Sequence, residues 1–281
     1  MFARVPASSA NLGPGFDCLA VALSLYLEVT IEAADAFSIS SEGFGAGQFD
    51  DEHNLGARVA ADLLGHARFS MHVKSEIPLT RGLGSSAALA VAAAAAAGAP
   101  DPLAIGARHD GHAENAAASL FGGLVVAGSD ERGFVARSLD LDAEWRFVAV
   151  IPDEELSTDD ARRVLPENVP FVDATHNLSA LGLLLAGLAD HDQFVAGSMD
   201  DYLHQPYRMG LLPFAQPLLA TLRESGAAGS CWSGAGSTML GLATSERAAG
   251  VAVAARTFLH DHGIAGVVHV LEADRTGLVT N

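Results

Sequence analysis

Three observations predict an α+β protein. Alternating stretches rich in β-branched residues read as strands, an alanine-rich helix follows a glycine and serine loop, and the elements lack the regular βαβ spacing of a doubly wound sheet. Residues 2–5 alternate as a strand that should stop at Pro6, and β-branched and aromatic residues mark another over 25–31, with a partner near 37–41. Asn54 precedes a helical pattern over 55–64, and residues 69–75 alternate as a strand leading into the glycine loop. Residues 87–98 form an apolar helix ending at Gly98, and 103–120 read as one helix ended by Gly122 and Gly123. Strands follow at 124–127, 133–138 and 146–151. The loop at 153–156 is the expected boundary between an N-terminal domain, 1–152, and a C-terminal one, 153–281. Beyond it, 159–164, 178–189, 217–225 and 247–260 read as helices, and 239–243 and 267–271 as strands.

Composition narrows the function classes. A chain of 281 residues with 49% hydrophobic content can fill one large or two ordinary cores. Its net charge of −18 opposes binding to nucleic acid or to anionic membrane, and neither is expected as a partner. Apolar runs are interrupted by Gly, Pro or charge before bilayer-spanning length, and the first residues do not read as a secretory signal, so a cytoplasmic protein is expected. Cys18 and Cys231 give no disulfide framework and no thiolate metal site. Lys74 is the sole lysine and lies outside any glycine loop, which excludes a Walker A nucleotide site.

The loop Pro78-Leu79-Thr80-Arg81-Gly82-Leu83-Gly84-Ser85-Ser86 has the chemistry of a phosphate cradle. Gly82 and Gly84 can take positive φ and let backbone approach a ligand, while Ser85 and Ser86 open a helix whose first N–H groups have no intrahelical acceptor. Taken alone, an ordinary capped helix explains the same residues equally well.

Other blocks decide between the two. Pro6 to Asp17 reads Pro-Ala-Ser-Ser-Ala-Asn-Leu-Gly-Pro-Gly-Phe-Asp, 111–115 reads Gly-His-Ala-Glu-Asn, and 157–166 contains Thr158, Ala161, Arg162, Leu165 and Pro166. Asp173, Ala174 and Asn177 follow, then His204-Gln205-Pro206-Tyr207-Arg208 and Ser233-Gly234-Ala235-Gly236. Together with the glycine loop, these blocks resemble the GHMP small-molecule kinases, and within them the homoserine kinase branch, over nearly the whole chain. The resemblance implies a ribosomal protein S5 domain 2-like N-terminal domain, a ferredoxin-like C-terminal domain and an active site between them. It implies ATP with Mg²⁺, L-homoserine as acceptor, a homodimer and no dedicated catalytic base.

Residue by residue, the resemblance assigns the nucleotide to Asn54, Pro78, Arg81, Gly82, Leu83, Gly84, Ser85 and Ser86, and the metal to Ser86 and Asp110. Asn11, Asp17, His112, Glu114 and Asn115 would line the amino acid, with Arg162 and Arg208 holding its carboxylate. Thr158 and Arg162 would act at the transferred phosphate. Arg163, His176 and the remaining histidines read as ordinary surface or core residues. Two departures stand out: Glu114 occupies a position where the family usually has Asp, and Asp110 one where many members have Glu. They leave open a pocket re-sized for another hydroxylated acceptor, and a silent nucleotide-binding paralogue remains an alternative.

Overall fold

A computed structural model describes all residues, 1–281. In chain order the elements are β1 (Phe2–Asn11), β2 (Gly15–Ala33), β3 (Ser38–Gly43), α1 (Leu55–Leu64), β4 (Phe69–Ser75), α2 (Ser85–Ala96), α3 (Pro102–Asp110), α4 (Glu114–Phe121), β5 (Leu124–Asp130), β6 (Gly133–Leu139) and β7 (Trp145–Pro152). Then come α5 (Thr158–Arg163), α6 (Phe171–Ala189), α7 (Gln205–Arg208), α8 (Ala215–Glu224), β8 (Gly229–Trp232), β9 (Met239–Thr244), α9 (Ala248–Asp261), β10 (Gly266–Leu271) and β11 (Val279–Thr280).

Two sheets result. The first runs β11-β1-β2-β4-β3, and β5 and β6 extend it from the N-terminal part of β2. The second runs β10-β7-β9-β8 and is antiparallel throughout. With α8 and α9 packed on it, the second unit is the β-α-β-β-α-β arrangement of a ferredoxin-like domain. β7 is its first strand. The boundary expected after residue 152 therefore falls one strand late, because β7 finds its hydrogen-bond partners in β9 and β10; the C-terminal β11, in turn, pairs with β1 of the first sheet.

Alternation along β7 joins the two units. Phe147, Ala149 and Ile151 enter the large core shared with β1, β2 and α2, while Val148 and Val150 face the smaller core under α8 and α9. β1 does not stop at Pro6 but continues to Asn11, with a register shift between Pro6 and Ala7 that accommodates the missing N–H. The expected helix over 103–120 is two helices, since Gly111 caps α3 in the left-handed region at φ 82° and the turn at 111–113 interrupts it. Eight of the twelve residues of α2 are buried, and its alanines admit α1, α3 and β1 at close range. α6 starts seven residues earlier than expected and is apolar and long enough, by length and composition, to cross a membrane; Gly182 and Gly187 do not break it. Ala180, Leu184 and Leu188 face inward, whereas Phe171 and Leu178 are 84% and 70% exposed.

Candidate active site

The β1–β2 turn, the start of α2, the α3–α4 turn, α5 and the β8–β9 turn surround a cavity of about 400 Å³. One end is built from backbone. Gly84 caps α2 at φ 69°, and no side chain caps the first N–H groups of that helix, which open toward the cavity at Ser85, Ser86 and Ala87. Gly82 sits at φ 72°. A Cβ there would run into the Ser233 carbonyl and Gly236 backbone, and one on Gly84 into Ser8, so these glycines permit three distant segments to touch. Ser233 Oγ fastens the contact through Ser9 Oγ at 2.8 Å and the Gly82 carbonyl at 2.7 Å.

The other end is built from charged side chains. Arg162 donates to both Asp17 oxygens, at 3.0 and 2.6 Å, in a two-pronged pair that is about one-third exposed. Phe16 lies beneath both arginines, its ring centroid 5.5 Å from the Arg162 guanidinium carbon and 5.4 Å from that of Arg208. Arg208 is buried. Its Nε donates to the Ala161 carbonyl and its Nη1 to the Gly234 carbonyl and to His204 Nδ1, which leaves Nη2 without a protein partner at the cavity. Burial, with Arg162 nearby, lowers the Arg208 pKa to about 10 and leaves it charged at neutral pH.

Facing the arginines, His112 Nδ1 lies 2.6 Å from Glu114 Oε1. Burial opposes a charge on His112, but Glu114, Asp17 and Asp110 outweigh it and raise its pKa. Glu114 begins α4, where the helix dipole favours a carboxylate, and its buried Oε2 has no hydrogen-bond partner. Burial also raises the Asp110 pKa, against the pull of His112 and His109. The surrounding backbone is held in the left-handed region at Asn11, Leu12, Asp17 and Thr80, with φ between 48° and 74°. Such non-glycine conformations cost about 1–2 kcal/mol each and here cluster around one cavity.

Most expected site residues meet at this cavity: Asn11, Asp17, Gly82, Gly84, Ser85, Ser86, Asp110, His112, Glu114, Asn115, Thr158, Arg162 and Arg208 all line it. Four do not. Arg81 turns away, donating to the Leu79, Pro152 and Asp153 carbonyls and pairing with Glu155, so it braces the loop from behind. Asn54 caps α1 through the Ala57 N–H, and Pro78 and Leu83 are buried beneath the loop. Asn11 is a tie, donating to the Gly234 carbonyl at 3.0 Å and accepting from the Asp17 N–H at 3.1 Å. Phe16 and His204 were not among the expected site residues. Lys74 is exposed on β4, away from the cavity.

Residues 54–123 match the family model "GHMP kinases N terminal domain" and residues 171–261 match "GHMP kinases C terminal". Homoserine kinase of Desulfitobacterium hafniense is 39% identical over 289 residues, covering 98% of this chain and 97% of that protein. The chain belongs to the GHMP kinase family. Homoserine kinase of Deinococcus radiodurans is 37% identical, with 98% of this chain and 95% of that protein covered. Among solved structures, homoserine kinase from Cytophaga hutchinsonii superposes with a TM-score of 0.86 at 25% identity, covering 99% of this chain and 96% of that one. Mevalonate kinase of L. major, with a TM-score of 0.73 and 13% identity over 97% and 95% of the two chains, shares the fold.

Proposed function

We propose that this kinase transfers the γ-phosphoryl group of ATP to the side-chain hydroxyl of L-homoserine, giving O-phospho-L-homoserine in threonine biosynthesis. The observation that carries the reading is that one cavity joins a backbone anion cradle to side chains of both signs, including an Arg208 Nη2 and a Glu114 Oε2 without partners. An α-amino acid supplies the complement of both. Its carboxylate would take Arg208 and Arg162, and its ammonium Glu114 and Asp17; the internal Arg162–Asp17 pair would thereby be exchanged for two pairs with the substrate.

Phosphoryl transfer then rests on positioning and charge neutralisation. The α2 N–H groups hold the phosphates, and Thr158, at the start of α5 behind the Ser157 cap, lies beside the transferred group together with Arg162. Asp17 is engaged by Arg162 in the free protein and would be engaged by the ammonium in the complex, and no lysine lines the cavity, so in this reading the hydroxyl proton passes to a phosphoryl oxygen or to water without a dedicated side-chain base.

Ser86 and Asp110 offer the hard oxygen donors that suit Mg²⁺, which would neutralise charge on the β- and γ-phosphates. The cluster of Asp17, His112 and Glu114 contains an imidazole and suits an ammonium better. A cytoplasmic homodimer belongs to the same reading. What supports the dimer is the outward face of α6, where residues 174–189 carry no Asp, Glu, Lys or Arg in a chain of net charge −18. Light scattering after size exclusion should give twice the chain mass, and substitution of Leu178 by Glu should halve it.

The deciding assay is ADP release with L-homoserine beside a panel of small hydroxylated compounds that lack its carboxylate or its amine. Turnover confined to homoserine is expected. Turnover with another acceptor and none with homoserine would overturn the substrate, and nucleotide binding without any transfer would favour a silent paralogue.

A further inference from the structure

The block His204 to Arg208 contains a histidine with no assigned role. His204 is fully buried just ahead of α7, stacked on Phe16 at 4.9 Å between ring centroids. Its two ring nitrogens have opposite surroundings. Nε2 is 2.8 Å from the Gly13 carbonyl and 3.4 Å from Asp201 Oδ2, both acceptors, whereas Nδ1 is 3.1 Å from Arg208 Nη1, which is only a donor. Only the neutral ring with its hydrogen on Nε2 satisfies all three neighbours. The backbone around it is equally constrained, because Asp201 accepts from the Leu203, His204 and Gln205 N–H groups at 2.9, 3.0 and 2.6 Å.

We infer that His204 is a positioning residue for acceptor recognition: held as the Nε2–H tautomer between the Gly13 carbonyl and Arg208, it aims the unpartnered Nη2 of Arg208 into the cavity. Arg208 reaches the cavity from a four-residue helix, so its aim depends on the three acceptors around Nε and Nη1. Two of them are backbone carbonyls. The third, His204, is the one supplied by a side chain, and it ties the arginine to the β1–β2 turn that leads into Asp17 at the start of β2. Arg208, Asp201 and Asp17 are the charged groups facing the ring. Burial first, and Arg208 with it, keep the imidazole neutral, with its pKa at about 4 despite Asp201 and Asp17. A proton on Nδ1 would set N–H against N–H and release the arginine.

The kinetic test rests on homoserine as acceptor, and three variants divide the ring's functions. Asn at 204 places an acceptor near the Nδ1 position, Gln places a donor near Nε2, and Phe keeps only the stack on Phe16. H204Q and H204F should raise the KM for homoserine by roughly tenfold or more, as loss of a hydrogen bond to a charged group implies, with the KM for ATP unchanged. H204N should stay within about threefold of wild type because the acceptor is retained. Equal shifts in H204N and H204Q, or an unchanged KM in H204Q, would overturn the inference. ¹⁵N NMR of the wild-type protein, which needs neither a variant nor a substrate, should find the His204 hydrogen on Nε2 at neutral pH. A hydrogen on Nδ1, or on both nitrogens, would overturn it. Wild-type protein that turns over no homoserine would defeat the proposed reaction instead, and the NMR result alone would then decide the tautomer.

Discussion

The two ends of the cavity solve opposite recognition problems by opposite means. At the end proposed to cradle the phosphates, in a strongly acidic chain, the loop itself offers no cationic side chain: Arg81 points away, and the available donors are backbone N–H groups exposed by glycines and by an uncapped helix start. At the end proposed to take the acceptor, the groups of unit charge each stand beside another side chain, Arg162 on Asp17, Arg208 on His204 and Glu114 next to His112. A polyphosphate can be held by fixed dipoles because its charge is large and diffuse. A small zwitterion offers two unit charges of opposite sign, and distinguishing it from other alcohols requires paired side chains at set angles.

The largest effect should come from removing the most enclosed of those side chains. Arg208→Met deletes the free Nη2, leaves the Ala161 carbonyl and His204 Nδ1 without the donor it supplies, and leaves the Gly234 carbonyl with Asn11 as its donor. A rise of roughly 100-fold in the KM for homoserine is expected, equivalent to about 3 kcal/mol, with ATP affinity measured by calorimetry little changed. Equal loss of both affinities would erase the division between the two ends.

Gly84→Ala probes the opposite end. The alanine must adopt φ near 69° and accommodate a methyl against Ser8 and Asn115, so a loss of about 1–2 kcal/mol in denaturant unfolding should accompany weakened ATP binding. The homoserine site should be touched only through Ser8 and Asn115, which share a 2.8 Å hydrogen bond. A larger effect on homoserine than on ATP would contradict the backbone role of the loop.

Asp17→Asn should separate recognition from stability. The Arg162–Asp17 pair is partly open to solvent, so its removal should change unfolding by less than about 1 kcal/mol. The KM for homoserine should nevertheless rise about fivefold, since Arg162 loses its guide and the ammonium loses a carboxylate. A stability loss without a kinetic one would make the pair a structural clasp.

The glycine loop was the part of the cavity most legible in local sequence, for a physical reason, although Asn54, Pro78, Arg81 and Leu83, the four expected residues outside the cavity, all belong to the nucleotide set. Glycine, glycine and two serines before an alanine helix specify a backbone conformation within a few residues, and local conformation is what sequence patterns encode. The same local reading failed where tertiary contacts prevailed. Pro6 did not end β1, because a register shift in the pairing with β2 absorbed it, and Gly111 split a helix whose apolar pattern ran through. The resemblance assigns Arg81 to the nucleotide, while two of the carbonyls that capture it lie at Pro152 and Asp153, more than seventy residues away. His204 carries no local signal for a related reason. Its significance lies in Gly13 and Arg208 standing on opposite sides of one ring, and only folding brings Gly13 there.

The smallest effect concerns acid, and it distinguishes the ends by titration. Residues 82–86 contain no ionisable side chain, whereas His204, at the acceptor end, has its pKa pushed down to about 4 from the ordinary 6.5. Between those values the unfolded chain binds a proton that the native ring refuses, so this site's stabilising contribution is complete above pH 6.5 and declines as the pH falls toward 4. The melting temperature of the wild type should therefore fall more steeply with acid across that window than that of H204N, whose amide does not titrate. The ratio of wild-type to H204N affinity for homoserine should stay level across most of that window and decrease only as the pH nears 4, where the native ring itself takes up the proton, while the corresponding ratio for ATP stays level throughout, because dividing by the variant cancels the titration of ATP itself. Parallel melting curves in wild type and H204N would mean that the ring already carries its proton, and Arg208 would then have to be held by the Ala161 and Gly234 carbonyls alone.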